Sequence, residues 1–519
     1  MPPANTFTAC KACRRLKRKC SRDTPSCRLC VRLGKICEYG SSETSSSPGS
    51  NVTGLTSREP EHPAAGLDMH QADDFPCSYF LDFDFFQPIL RDALTTQGSQ
   101  FLINEQRRLV STGVLDGLVS NYEKTIHEWL PMFSIKRLRD EGNALAQSSH
   151  GNIDLLVFLA LEALMTQPMV TASDNNISPQ NNPCYLKAKE YSFAAESRGC
   201  INIRLVQTIV LIALYEFGHH IYPAAYLTIG QAVRLATMVG LHSQKEAKQL
   251  FVEPETWTLC EEQRRTWWVT VMLDRVVVAG SPELLMAAPD PITSDLLPCN
   301  DEDWKTGRIG FNEALFTRNF HSPSFMGHFA KTCQAVHMLG KVLRHVQPRS
   351  RNADTAERTS EAIKLHTILE LLEQSLASNQ GGDNSLYSAR SLCSLARLLL
   401  YNEYACNESN FSERLAAEVE MQQISLAGIQ EIASKTIPHM ARQIVLSSQQ
   451  QSDGPKHSPV LVGCLYHAAT ECVWFIKENK DEDMVAGLQA IINALEVLKF
   501  EWSVCNKYLS YLEINSLEE

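Results

Sequence analysis

The sequence predicts a mostly α fold: a small cysteine-rich N-terminal module, a disordered linker, and a large all-α domain filling the rest of the chain. Three observations predict it. Six of the 17 cysteines fall within the first 37 residues. A stretch rich in Ser, Pro and Gly follows them. From about residue 100 onward apolar residues recur with the helical period near 3.6, and strand signals are scarce.

The module comes first. Cys10, Cys13, Cys20, Cys27, Cys30 and Cys37 are spaced C-x2-C-x6-C-x6-C-x2-C-x6-C, a unit repeated after 17 residues. A structural zinc site takes four tetrahedral ligands, and C-x2-C is the common half-site. One zinc on Cys10, Cys13, Cys27 and Cys30 would leave Cys20 and Cys37 idle, although both sit at matching places in the two copies. Two zinc ions need eight ligand positions, which six sulfurs supply only if two of them bridge. The expectation is a binuclear zinc cluster. A disulfide scaffold is the competing reading, and it requires an oxidising compartment. No apolar stretch of secretory type opens the sequence, and the other eleven cysteines, such as Cys200, Cys333 and Cys472, show no pairing pattern. That usage fits a reduced, cytosolic or nuclear protein.

With that spacing on the page, Cys10–Cys37 resembles the fungal binuclear zinc-cluster transcription factors, including Pro25 in the loop between the halves. The resemblance implies that Cys10 and Cys27 bridge. One zinc would take Cys10, Cys13, Cys20 and Cys27, and the other Cys10, Cys27, Cys30 and Cys37.

Charge separates the module from the remainder. Residues 1–39 hold ten Lys and Arg against Asp23 and Glu38, a formal +8, whereas the whole chain carries −11 and residues 40–519 therefore −19. Two zincs with six thiolates subtract about 2 charges, and the sign survives. A basic head on an acidic body fits phosphate binding confined to the head. Between the repeat copies Lys17 faces Gly34 and Lys19 faces Ile36, so the first copy is the one built for contact. Lys17 also stands where the family carries a lysine that touches base edges, and guanine O6 and N7 offer it two acceptors. Arg14, Arg15, Arg18 and Lys19 are expected on phosphates. The implied partner is double-stranded DNA with CGG-type half-sites. RRLKRK would also serve as a nuclear localisation patch.

The linker and the segment after it come next. The linker spans 41–72 after a module at 7–40, and its composition predicts flexibility. Residues 40–100 show no run of three heptads with apolar a and d positions, a departure from the family's dimerising coiled coil. Dimerisation through the body and monomeric DNA binding both stay open. Within residues 73–99, Asp73–Phe86 (DDFPCSYFLDFDFF) interleaves aromatics with Asp. Such a segment can recruit coactivators; the favoured expectation is that it docks onto the main domain.

Residues 100–519 are expected to be the all-helical domain. IRLVQTIVLIALYEF is apolar nearly all round, as a buried helix is, and Gly218 follows it. YPAAYLTIGQAVRLATMVG has Pro223 near its start and Gly240 at C′. EEQRRTWWVTVMLDRVVVAG predicts a third helix from Glu262 to about Val278. Tyr226–His242, then Glu262, Arg264, Arg265, Trp267, Trp268, Asp274 and Arg275, resemble the same family's fungal-specific regulatory domain, and Tyr122–Phe133 resembles its opening helix. Gly280-Ser281-Pro282 departs from the usual Gly-Arg-Pro. The arginines are expected to stack on indoles and pair with Glu262 or Asp274, holding helices together rather than lining an effector pocket.

Enzyme readings fail. The chain has no G-x-S-x-G elbow, no phosphate loop of the G-x-x-x-x-G-K-[ST] type and no H-E-x-x-H motif. His127-Glu128 lacks a second histidine one turn on; His219 and His220 are expected to favour a helix dipole, and Glu370 and Glu373 to sit on a solvated face. No stretch of 18 apolar residues without a charge appears, so no membrane partner is expected. The whole reads as a nuclear, sequence-specific transcription regulator, an activator of metabolic or secondary-metabolite genes, with a possible homodimer and coactivators as partners. The alternative is a helical coregulator or scaffold whose basic head serves localisation or non-specific nucleic-acid binding.

Overall fold

The computed structural model describes residues 9–11, 20–28, 30, 37 and 39 in one compact unit, Met1–Asp68. In the other, Met69–Glu519, it describes 102–147, 153–166, 178–242, 254–281, 283–315, 326–347, 354–377, 386–406, 415–447 and 455–517. The linker, the absent heptads and the acidic–aromatic segment lie outside the described residues.

The larger unit is helical, and the β pairing among its described residues is an isolated bridge between Leu296 and Ala314. It opens with α1 (Ile103–Ser111), α2 (Val114–Lys124), α3 (Ile126–Trp129), α4 (Ile135–Gln147) and α5 (Leu155–Met165). Next come α6 (Pro183–Ser197), α7 (Ile203–Gly218), α8 (Ala224–Met238), α9 (Trp257–Val278) and α10 (Asp301–Thr306). The second half contains α11 (His328–Val346), α12 (Thr355–Ala377), α13 (Tyr387–Ala405), α14 (Ala416–Glu431), a π-helical turn (Ile432–Thr436) and α15 (Ile437–Ser447). The chain closes with α16 (Pro459–Asn479), α17 (Glu482–Leu498) and α18 (Val504–Leu517). Neighbours in sequence pack as pairs, α7 on α8 and α8 on α9; α9 then meets α11, and α11 lies along α13. One continuous apolar core runs through them.

The sequence's three helices are present, with informative differences. In α7 almost every side chain is buried, and the Asn202 side chain caps its start by accepting from the Leu205 N–H at 2.9 Å. Gly218 is the helix's last residue rather than its left-handed cap; a Cβ there would lie 2.1 Å from the Trp502 ring. Its glycine serves packing. Gly240 does have a positive φ of 78°. Its N–H donates to the Thr237 carbonyl and that of Leu241 to the Ala236 carbonyl, the two bonds of a Schellman stop. The third helix begins earlier than its apolar pattern suggests, because the Thr256 hydroxyl accepts from the Leu259 N–H and starts α9 at Trp257.

α9 buries two adjacent acids that face different partners, as residues about 100° apart on a helix must. Glu262 accepts from Arg137 on α4 and Arg204 on α7, each at 2.5 Å, and from Gln207 at 3.1 Å. Glu261 accepts from Arg265 Nε at 2.9 Å, from Arg264 at 2.5 Å, from the Cys299 N–H at 2.8 Å and from Asn312 at 2.9 Å. Arg265, fully buried, also reaches Asp301 at 3.1 Å and stacks over Trp304 at 4.9 Å and Phe329 at 5.5 Å. The arginines therefore hold helices together, but Arg264 and Arg265 use Glu261, and Arg265 stacks on Trp304 rather than on Trp267 or Trp268. Asp274 pairs with its neighbour Arg275 at 2.6 Å and accepts from the N–H groups of Ala287 and Ala288.

Other expectations are corrected. His219 is buried, 2.9 Å from Ser503 Oγ, and burial lowers it to about 4, so the ring stays neutral and lends no charge to a dipole. Burial likewise lowers His127, beside Tyr122, to about 3. Glu373 sits largely buried 3.7 Å from Arg390, and burial raises its carboxyl. By length and apolarity α16 would suffice to cross a membrane. Its Val460, Leu461, Cys464, Leu465 and Ala468 are buried, and the helix packs on α13 and α17 as a core element.

Two outcomes follow. Gly218→Ala must push the Trp502 ring aside and should cost about 1–3 kcal/mol, read as a lower urea midpoint of the full chain; an unchanged midpoint would show that the ring yields freely. Glu262→Ala leaves buried Arg204 with Glu141 as its remaining carboxylate and should cost about 1–3 kcal/mol. Arg139→Ala, which removes an exposed pair with Glu123, should cost about 0–1 kcal/mol.

Candidate metal centre and nucleic-acid interface

The sulfurs of Cys10, Cys27, Cys30 and Cys37 lie within 4.8 Å of one another. Cys10 Sγ is 3.9 Å from Cys27 Sγ and 3.7 Å from Cys30 Sγ. A tetrahedral zinc with Zn–S bonds near 2.3 Å separates its sulfurs by about 3.8 Å, so this spacing fits the ion. Backbone donors support the group. The Cys27 N–H points to Cys37 Sγ at 3.2 Å, and the Cys30 N–H to Cys27 Sγ at 3.4 Å. Local folding explains that second bond: residues 27 and 30 bracket the first turn after the loop through Pro25, and C-x2-C folds the later N–H back onto the earlier sulfur.

The electrostatics point the same way. Burial, with the neighbouring sulfurs of Cys27, Cys10 and Cys37, pushes the Cys30 thiol up to about 12. Crowded thiolates repel, and a divalent cation among them removes that penalty. Cys20 lies beside the group. Burial opposes its ionisation, yet hydrogen bonds from the backbone at Cys10 and Arg22 outweigh it and bring the thiol down to about 6. Donors already aimed at sulfur favour the thiolate that a metal binds.

Tyr39 was not singled out from the sequence. Its hydroxyl lies 3.9 Å from Cys20 Sγ and donates to the Asp23 carbonyl at 2.9 Å, tying the end of the second repeat to the loop after the first. The available signal was an aromatic residue two positions past the last cysteine. Arg28 pairs with Asp23 at 3.3 Å, an exposed contact of little energetic weight. Cys13, Arg14, Arg15, Lys17, Arg18 and Lys19 lie outside the described residues. Five expected ligands are thus described, four of them gathered in one group with Cys20 at its edge.

Comparison with known proteins assigns both units. Residues 8–46 match the fungal Zn(2)-Cys(6) binuclear cluster domain, a zinc-binding domain, and residues 119–412 match the fungal specific transcription factor domain. Transcription factor BOA15 of Botryotinia fuckeliana is 34% identical over 151 residues, 29% of this chain and 80% of that protein. The azaphilone cluster-specific transcription factor azaR of Aspergillus niger is 23% identical over 359 residues, 65% of this chain and 72% of its own length. The citrinin biosynthesis transcriptional activator mrl3 of Monascus ruber is 22% identical over 339 residues, covering 58% of this chain and 65% of that protein. These relatives are transcription regulators, not enzymes. With a thiolate group of zinc dimensions at one end and a matched helical domain over more than half its length, the chain belongs to the fungal zinc-cluster transcription factors that carry the fungal specific transcription factor domain.

Proposed function

We propose that this chain is a nuclear, sequence-specific DNA-binding regulator of genes transcribed by RNA polymerase II, and that it activates a secondary-metabolite gene set. The observation that carries the reading is the zinc-sized sulfur group set in a head of formal charge +8. Relatives named as azaphilone-cluster and citrinin-biosynthesis regulators support the choice of gene class.

In this reading residues 7–40 form the DNA-binding module, 41–72 a spacer, 73–99 an acidic–aromatic segment and 100–519 the regulatory body. Two zinc ions share Cys10 and Cys27; Cys13 and Cys20 complete one, and Cys30 and Cys37 the other. The gathering of Cys10, Cys27, Cys30 and Cys37 supports the second set. Lys17 reads guanine in a CGG half-site, while Arg14, Arg15, Arg18 and Lys19 hold phosphates. Coactivators and a second copy of the chain are its protein partners.

Zinc content by plasma mass spectrometry should be about two per chain, falling in Cys30→Ala; about one per wild-type chain would refute the bridged cluster. Against a CGG duplex and scrambled DNA, Lys17→Ala should lose about 1–3 kcal/mol of discrimination. Arg18→Ala should weaken both duplexes alike and flatten the salt dependence. Undiminished discrimination in Lys17→Ala would remove the base-reading role.

A further inference from the structure

Among the described residues, an apolar stripe is exposed close to α1, where the described part of the helical unit begins. On α6, Tyr185, Ala188, Ser192 and Ala195 are buried, whereas the opposite stripe shows Leu186 at 48% and Phe193 at 70% exposure. On α8, Leu227 is 63% exposed. The two helices are joined by the hydrogen bond from Gln231 to Glu196. α6 leads into α7 and α7 into α8 through short connections, and α7 packs on both. Leu227 stands one turn from Gln231 and Phe193 about one turn from Glu196, so each lies on the face of its helix that carries this hydrogen bond. The other flank of α6 meets α1, where Lys187 pairs with Glu105 at 2.8 Å. The stripe therefore lies between α1 and α8.

We propose that the segment Asp73–Phe86 of the same chain docks on this stripe, its aromatic rings over Leu186, Phe193 and Leu227. Three observations select this occupant. The segment carries Phe75, Tyr79, Phe80, Phe83, Phe85 and Phe86, an apolar payload in want of a surface. It also carries Asp73, Asp74, Asp82 and Asp84 with no Lys or Arg, while α8 exposes Arg234 one turn beyond Gln231 and Arg198 is exposed at the end of α6, beside the acids Glu190 and Glu196. The third is reach. Leu102 is fully buried and fixes the start of α1, which touches α6. Phe86 is 16 links from Leu102 in sequence, and a chain of that many links spans about 20–24 Å root-mean-square when nothing else holds it. From Leu186 to Phe193 is only about 10 Å along a helix. A tether of that length gives an effective concentration on the order of millimolar, far above what a second copy or a free protein supplies at ordinary concentration. A contact too weak to hold two separate molecules suffices within one chain.

Hydrogen–deuterium exchange on the full-length protein tests this. Amides of residues 79–86 should exchange about tenfold more slowly than in an isolated peptide of residues 73–86, which corresponds to about 1.4 kcal/mol of docking. The double variant Phe193→Asp with Leu227→Asp should erase that protection while α7 amides exchange as in wild type. Should the aspartates disturb α7, Phe193→Ser with Leu227→Ser replaces them. Phe83→Ala with Phe85→Ala and Phe86→Ala should abolish protection from the segment's side. Wild-type exchange equal to the free peptide's overturns the proposal. So does protection that survives the surface variants, which would seat the segment elsewhere. Protection that fades on dilution assigns the stripe to a second copy and overturns it as well.

Discussion

Two adjacent buried carboxylates on one helix decide how the regulatory domain is arranged. Glu261 and Glu262 leave α9 in different directions, and each finds its own arginines: Glu262 reaches α4 and α7, and Glu261 orders Arg265 and the loop that leads to α10. Arg265 carries the same network onward through Asp301, whose other oxygen accepts from the Phe329 N–H at the start of α11. Charges buried this deeply roughly break even against apolar packing, but a wrong arrangement strands one of them at a cost of several kcal/mol. Apolar contact alone would tolerate many registers of these helices. The paired charges penalise those that separate them.

The head solves a different problem. A module of some 30 residues cannot bury enough apolar surface to fold by hydrophobic packing, and among its described residues the buried hydrophobic ones are cysteines, with Tyr39 at their edge. Metal–thiolate bonds take the place of a core, leaving the surface free to be as basic as phosphate binding demands. Segregating charge this way lets one chain hold an acidic body and still present a basic face to nucleic acid.

What the sequence made legible was whatever is encoded locally. Six cysteines at fixed spacing announced the metal; apolar periodicity and Gly240 marked the helices and one of their ends. The misread features all depend on residues far away in the chain. Nothing near Gly218 says that Trp502 will occupy the space where a side chain would be. Glu261 and Glu262 are equivalent in a linear reading, and only the placement of α4, α7 and α10 sends Arg265 to the first. Glu373 looks solvated on its own helix until Arg390 arrives opposite it. Tyr39 was hidden because one aromatic residue after a cysteine carries no pattern.

The contact between Gly218 and Trp502, reinforced by His219 against Ser503, spans 284 residues and joins the domain's first half to nearly the last of its helices. Synthesis runs from the other end. At ribosomal rates the interval between exposing α7 and delivering Trp502 is on the order of tens of seconds. Throughout that interval an almost wholly apolar helix lacks the indole that covers its end, while the metal-binding head has long since emerged. A nascent chain of this kind presents a finished DNA-binding module attached to an unfinished regulator, and a message cut short before Trp502 would release that combination into the cell.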